Sequence, residues 1–383
     1  MALGTAPAQG DGFSATFKRA PRQIAVGAVL LLATVAVGVL TETRGVERYT
    51  ALDRSAETVM SVGADRIDPS HEGALVHVKG GVQSTQELVD ETFGVKVAAL
   101  RLVRHVEIYA WEETKREEKR KNDKGEEETV TTYSYTKRFQ AVPADSSRFK
   151  ESESHKNPEK AAFADQDFTA KDARLGAFVL PSEALGKLTK LEPVRVSQDM
   201  LARSPHATKL SELEGAAFYG NEVQNPQVGD LRISYQMVRP QPVSVVAKQS
   251  GGTFVAYEPT PGVEPVFLVQ AGEVESKAMF ATAKDDTPMS SWLFRGLGVV
   301  LGAVAFALML LPFSERRPLV PGFAKAPRVS GVLVGTGLGF ALYAAAMGGT
   351  WVTMRPAFAV PLFVVSLVAV VLSVMAIVRA RKA

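Results

Sequence analysis

The sequence contains no cysteine, which excludes disulfide bonds, thiolate metal sites and cysteine nucleophiles. Its net charge is only +3 over 383 residues, so no overall basic field indicates a nucleic-acid partner. It also lacks the HExxH spacing of zinc proteases, the GxSxG turn of hydrolases and the glycine-rich phosphate loop. These absences predict no cofactor and no metal site. They leave an enzymatic activity uncertain and weigh against one.

Charge is also absent from four long apolar runs, which span residues 24–41, 296–313, 329–347 and 356–378. A helix of about 18 residues rises roughly 27 Å, enough to cross the hydrocarbon core of a bilayer. The runs therefore predict four membrane-spanning helices. A channel or transporter is disfavoured, because transport pathways usually place ionisable groups near the midplane. A cleaved signal peptide is the alternative for the first run, whose length favours a retained anchor.

Lysine and arginine in the short flanks predict the orientation of these helices. Basic residues precede the first run, crowd the loop between the second and third, and follow the fourth, whereas the loop after the third run holds only Arg355. We therefore expect both termini to be cytoplasmic and residues 42–291 to lie on the other side of the membrane. The basic residues are Lys18, Arg19, Arg22, Arg316, Arg317, Lys325, Arg328, Arg379, Arg381 and Lys382.

The predicted fold class is membrane α+β, with a large β-rich extracytoplasmic or lumenal domain inserted between helices 1 and 2. Residues 46–68 carry apolar side chains at three- and four-residue spacing, which predicts an amphipathic helix continuing from the first span. The predicted order is a cytoplasmic segment 1–23, helix 24–41, domain 42–291, helix 292–313, basic cytoplasmic loop 314–328, helix 329–347, helix 356–378 and cytoplasmic tail 379–383.

A long β-hairpin is predicted over residues 104–139. In residues 104–111 (RHVEIYAW), the apolar side chains alternate with polar and aromatic ones, as in a half-buried strand. Alternation resumes over residues 129–139. The charged stretch between them, residues 112–128, holds an Asn-Asp-Lys-Gly turn signal and is interpreted as a solvated tip.

The hairpin carries most of the candidate functional residues. His105 and Glu107 share a strand face and, with His155, are weak candidates for acid–base chemistry. The alternative is a polar pair on an exposed face and, at His155, an HKNP turn. Aromatic residues with one asparagine form a candidate binding patch, although sheet packing is the commoner explanation of such rings. These residues are Tyr109, Trp111, Tyr133, Tyr135 and Asn157.

Small residues recur at four-residue spacing in the second and third apolar runs. Gly331, Gly335 and Gly339 form GxxxGxxxG, and Gly298 and Gly302 form GxxxG. Glycines on one helix face allow a neighbouring backbone to approach closely. The pattern predicts tight helix packing, either within the chain or between copies of it.

Five segments carry a further signal in their order along the chain: residues 104–111 (RHVEIYAW), 133–135 (YSY), 155–158 (HKNP), 226–234 (PQVGDLRIS) and 351–356 (WVTMRP). In these segments the sequence resembles the transmembrane protein 43 family, also called LUMA. The arrangement of one span, a large domain and three further spans is similar as well.

The resemblance implies a membrane protein without an established catalytic activity. For eukaryotic members it implies the endoplasmic reticulum and inner nuclear membrane, a lumenal domain and a part in nuclear-envelope organisation. This sequence is rich in Ala, Val and Gly, which is typical of bacteria and would place it in the plasma membrane. The leading hypothesis is a self-associating membrane scaffold that contacts the bilayer and other membrane proteins but no nucleic acid. The alternative is an extracytoplasmic enzyme acting near the lipid surface.

Overall fold

The computed structural model describes residues 21–121, 127–314 and 327–382. The chain divides into two compact units. The helix unit comprises residues 1–55, 258–264 and 280–383, and the β unit comprises residues 56–257 and 265–279. Residues 315–326 of the predicted basic loop 314–328, which include Lys325, lie outside the described ranges.

Among the described residues, four helices are long and apolar enough to cross a membrane. The first is 38 residues long, so at 1.5 Å per residue it extends about 57 Å, well beyond a hydrocarbon core of roughly 30 Å. The helices are α1 Pro21–Thr58, α2 Ser182–Gly186, α3 Gln198–Leu201, α4 Ser276–Asp285, α5 Met289–Ser314, α6 Pro327–Trp351 and α7 Pro356–Lys382.

The described part of the β unit contains sixteen strands. They are β1 Met60–Ser61, β2 Leu75–Gln83, β3 Glu87–Asp90, β4 Val95–Ala98, β5 Arg101–Lys121, β6 Glu127–Gln140, β7 Gln166–Thr169, β8 Arg174–Leu175, β9 Phe178–Val179, β10 Glu192–Val194, β11 Leu210–Leu213, β12 Ala216–Tyr219, β13 Leu231–Val238, β14 Pro242–Ser250, β15 Thr253–Val255 and β16 Leu268–Ala271.

The strands form two large sheets around one apolar core. The first has the order β1-β2-β8-β9-β15-β14-β16, and an additional β2–β14 pairing closes part of this path into a ring. The second has the order β11-β12-β13-β5-β6, with β7 on β5 and β10 on β13. Buried side chains from both sheets, such as Val78, Ile108 and Val245, belong to one cluster. A β3–β4 hairpin adds Leu88 and Val95 to it.

The predicted fold class is confirmed, because a β-rich region separates the first apolar helix from the other three. The predicted hairpin is present, but its charged tip is shorter than expected. β5 and β6 stay paired from Ile108 and Gln140 out to Lys121 and Glu127. The interpretation of residues 112–121 as a loop was wrong, because ion pairs along β5, such as Arg116 with Glu118, and the cross-strand pair of Glu112 with Arg138 let charged residues pair as strands.

The amphipathic helix expected over residues 46–68 ends at Thr58. β1 follows at once and pairs in parallel with β2. The second half of that prediction was therefore wrong, because strand pairing replaces helix after Thr58. The domain boundaries and the side of the membrane on which the β unit lies stay predictions.

Candidate functional site

His105 and Glu107 lie on one face of β5, and each has its own partner. Nδ1 of His105 lies 3.6 Å from the Asp165 carboxylate, and Nε2 lies 3.3 Å from the side-chain oxygen of Gln236. Glu107 accepts a 2.7 Å hydrogen bond from Nε of Arg232. Glu107 is thus held by a guanidinium rather than paired with the histidine.

His155 lies in a different place. Its ring stacks on Tyr135 with centroids 3.7 Å apart and meets the edge of Trp111 at 4.5 Å. Trp111 follows His105 along β5 by six residues, or about 20 Å at the usual strand rise. The acid–base candidates therefore divide between two places, and this arrangement gives the enzyme alternative no support.

The Tyr135 hydroxyl joins this cluster to the segment that follows β6. It donates to Glu113 across the strands at 2.7 Å and accepts from the backbone N–H of Glu151 at 2.9 Å. The Glu113 carboxylate also accepts from the backbone N–H of Lys150 at 2.6 Å. Desolvation and the bond to Glu113 raise the pKa of Tyr135, so the phenol stays protonated as a donor.

Asn157 completes the edge of β5 where its neighbouring strand ends. β13 pairs with β5 as far as Ile108. Beyond that point, Trp111 donates its N–H to Oδ1 of Asn157 at 2.8 Å, and Nδ2 of Asn157 donates to the Trp111 carbonyl at 2.9 Å. Nδ2 also donates to the carbonyl of Ala144 at 3.0 Å. The Asn157 side chain thus makes the hydrogen bonds to Trp111 that a neighbouring strand would otherwise make, and it holds the loop after β6 against β5.

The remaining aromatic candidates follow the same strands. Tyr109 packs on Phe139 with ring centroids 5.0 Å apart. Tyr133 lies farther out, in register with Lys115. The rings at positions 109, 111 and 135 therefore contact other side chains of the fold, and a binding role for this group stays a prediction.

Beyond these contacts the hairpin continues as a two-stranded ribbon, which we define as residues 112–121 of β5 together with β6. β6 alone is 14 residues, or about 45 Å at the usual strand rise. None of its residues is buried, and among the described strands it pairs only with β5. An isolated two-stranded hairpin is marginally stable in water, so the contacts at its base hold the ribbon in place.

The predicted packing glycines lie where helices of the helix unit approach each other. A Cβ built on Gly339 would come 2.3 Å from the backbone N of Ala303, and one on Gly335 would come 2.5 Å from that of Ala307. Gly302 faces Gly339, and Gly298 faces the ring of Tyr343. Gly331 is buried. Contact between copies of the chain through these glycines stays a prediction.

Sequence reasoning missed a buried polar network in the β unit. Asp90 accepts from Nη1 of Arg104 and from the Tyr235 hydroxyl, both at 2.7 Å. All three side chains are buried. Burial and the Asp90 charge raise the pKa of Tyr235 far above its usual range. The alternation in β5 placed Arg104 on the apolar face beside Val106, which was the available signal.

A second missed network lies in the helix unit. Glu42 is fully buried and accepts from Nε of Arg295 at 2.8 Å and from Nε1 of Trp351 at 2.6 Å. Glu42 directly follows the first apolar run, and Arg295 directly precedes the second. Under the predicted topology both residues lie on the same side of the membrane, which is the signal that could have suggested the pair.

His77 is a third buried polar group. Nε2 lies 2.9 Å from the carbonyl of Val274, and Nδ1 lies 3.0 Å from the Ser61 hydroxyl. The carbonyl requires a proton on Nε2, which leaves Nδ1 as acceptor. Burial lowers the pKa of His77 below its usual 6.5, so the ring is neutral. Within the described ranges, no group of three His, Asp or Glu side chains is arranged to hold a metal ion.

A family model described as Transmembrane protein 43 matches residues 108–356. Transmembrane protein 43 of Homo sapiens is 28% identical over 269 residues, 67% of this chain and 66% of the human protein. That of Rattus norvegicus is 28% identical over 243 residues, 61% of this chain and 59% of the rat protein.

The Transmembrane protein 43 homolog of Drosophila melanogaster is 26% identical over 325 residues, which cover 82% of this chain and 84% of the fly protein. The match to the rat and human proteins thus spans somewhat less than two thirds of their length. No solved structure gives a significant match.

Proposed function

Because the chain belongs to the transmembrane protein 43 family, we propose that it is a multi-pass membrane scaffold that organises membranes by binding a second copy of itself and other membrane proteins. The resemblance of the sequence implies nuclear-envelope organisation for eukaryotic members. For this chain the proposal concerns partners in its own membrane, first of all a second copy. Four apolar helices anchor it, and the ribbon of the β unit is the binding element.

The observation that carries this proposal is the unpaired outer edge of β6. A strand at the edge of a sheet presents a row of free N–H and C=O groups, which is a template for pairing with another chain. Soluble proteins usually shorten or cover such edges. Here the edge runs along 14 residues without a buried position.

The charge order along β6 favours a second copy as the partner. The strand begins with Glu127 and Glu128 and ends with Lys137, Arg138, Phe139 and Gln140, and residues 129–136 (TVTTYSYT) between the charges are uncharged and rich in strand formers. Two copies aligned antiparallel place the acidic start of each strand beside the basic end of the other. Such a contact is symmetric and closes as a dimer, with its centre near Thr132 and Tyr133.

Single cysteines test this arrangement, since the chain has none of its own. We expect Thr132→Cys and Tyr133→Cys to form dimers with a short bis-maleimide in native membranes. Thr114→Cys is the matched control, because Thr114 is an exposed residue of the ribbon on the other strand. Equal cross-linking at all three positions, or none at positions 132 and 133, would overturn the proposed contact.

A further inference from the structure

A cavity of about 500 Å³ lies within the helix unit, at one end of its long helices. That volume falls in the usual range for small-molecule sites. The second half of α1 lines one side, and the residues before and at the start of α5 line another. Trp351 at the end of α6 and Arg355 just before α7 complete the wall.

The cavity lies at the level where the apolar runs end. Thr41, the last residue of the first run, lines it, as does Arg295, which directly precedes the second. Arg355 directly precedes the fourth run. In a bilayer these helix ends meet the polar headgroups, where tryptophan and tyrosine are enriched. The cavity therefore opens at headgroup depth.

The cations in the wall that carry ion pairs are neutralised by the protein itself. Arg48 pairs with Glu264 at 2.7 Å, and Arg355 pairs with Asp285 at 3.2 Å. Arg295 is held by the buried Glu42 carboxylate. These pairs fix the shape of the wall and leave no excess charge on it.

Three other lining groups have no ion-pair or hydrogen-bond partner for their charged atoms within the described part of the chain. They are the exposed side chains of Arg44, Glu47 and Asp286. One free guanidinium suits a phosphate, and two free carboxylates suit an ammonium group. Trp292 also lines the cavity, and the Arg295 guanidinium lies over its ring, 4.9 Å from the centroid.

Two helix N-termini reinforce the preference for phosphate on one side of the cavity. α5 begins at Met289, and the cavity is lined by its neighbours Pro288 and Ser290. α7 begins at Pro356, and Phe358 in its first turn lines the cavity. The N–H groups of Ser291 and Phe358 are bonded to the carbonyls of Pro288 and Arg355, so it is the dipole of each helix N-terminus, rather than an unpaired N–H, that favours an anion.

We propose that this cavity binds the headgroup of a zwitterionic phospholipid. The phosphodiester lies against Arg44 and the helix N-termini, and the ammonium group lies against Glu47 and Asp286. The inference goes beyond the proposed scaffold function and does not depend on the ribbon. A soluble phosphate compound shares the phosphate chemistry, so the test separates the two sources.

The full-length protein in detergent is titrated with phosphatidylethanolamine, phosphatidylcholine, phosphatidylglycerol or inorganic phosphate, and bound ligand is measured by native mass spectrometry. We expect the two zwitterionic lipids to bind more tightly than phosphatidylglycerol, and inorganic phosphate to bind weakly. Arg44→Gln should lower the affinity for the two zwitterionic lipids at least tenfold. Arg22→Gln is the matched control, because Arg22 is exposed at the other end of the same helix.

A second variant, Glu47→Gln, keeps the phosphate contact and removes a carboxylate. It should weaken the binding of the zwitterionic lipids severalfold and leave the binding of phosphatidylglycerol unchanged. Thermal unfolding identifies any variant that does not fold; both residues are exposed, so we expect both variants to fold. Stronger binding of phosphatidylglycerol, equal binding of inorganic phosphate, or equal losses in the variants at positions 44 and 22 would overturn the proposal.

Discussion

Replacing Asp90 by alanine should destabilise the β unit more than any exposed ion-pair substitution. Asp90 is 1% exposed and accepts from Arg104, from the Tyr235 hydroxyl and from the backbone N–H of Thr92. Arg104 would keep its bonds to Ala164 and lose the one carboxylate that it pairs with among the described residues, in a buried site. Removing one member of a buried pair costs about 3–5 kcal/mol, because the other charge stays buried without compensation.

Hydrogen exchange of β5 amides in the full-length protein measures this effect. A loss of about 3–5 kcal/mol corresponds to amide exchange roughly 10²-fold to several thousandfold faster, since every 1.4 kcal/mol is about tenfold. Asp167→Ala is the matched control, because Asp167 pairs with Arg101 on the same strand but its side chain is 45% exposed. Exposed pairs contribute about 0–1 kcal/mol. Equal effects of the two substitutions would refute the assignment of Asp90 as a buried charge partner.

Three further predictions follow from single sites. The pKa of His77 in the folded protein lies below its unfolded value of 6.5, so the unfolded chain binds the proton more readily. The free energy of unfolding should therefore fall as the pH drops below 6.5. His77→Gln should flatten this pH dependence when thermal unfolding is measured at several pH values. Gly339→Leu should lower the thermal unfolding temperature of the purified protein by several degrees, because a Cβ at this position would lie 2.3 Å from the α5 backbone. Gly349→Leu on the same helix should leave that temperature unchanged, because a Cβ there would have no atom within 4 Å. Equal effects of the two substitutions would contradict the packing argument. Cysteine replacing Lys124 should react with an impermeant maleimide in intact cells and cysteine replacing Lys325 should not; the reverse pattern would contradict the predicted orientation.

The parts of the fold that the sequence predicted are those set by local patterns. Four uncharged runs predicted the apolar helices, because each must satisfy its backbone internally and keep charge out of lipid. Strict alternation predicted the strand through Val106 and Ile108, both of which are buried. The charged stretch after Trp111 was misread, because strand pairing there depends on partners across the ribbon rather than on local apolar residues.

The networks that the sequence did not predict depend on residues far apart in the chain. Asp90 and Tyr235 are separated by 145 positions, and Glu42 and Arg295 by 253. A buried charge leaves no local pattern in the sequence, because the free-energy cost of burying it is offset only by a partner that folding brings to it. The sequence predicts a turn at His155 and Asn157, but their contacts with Trp111 form only because the loop after β6 folds back onto β5.

The charge order on β6 allows the most direct test of the scaffold proposal. Glu128→Lys should reduce self-association in native membranes, because it places a lysine beside Lys137 of the other copy. Adding Lys137→Glu to the same chain should restore self-association. Within one chain Glu128 is in register with Arg120, and Lys137 with Trp111, so contacts inside the ribbon do not explain a rescue. The dimer fraction can be measured by cross-linking through a cysteine at position 132. The account predicts loss in the Glu128→Lys variant and recovery in the double variant, and a dimer fraction unchanged by either would contradict it.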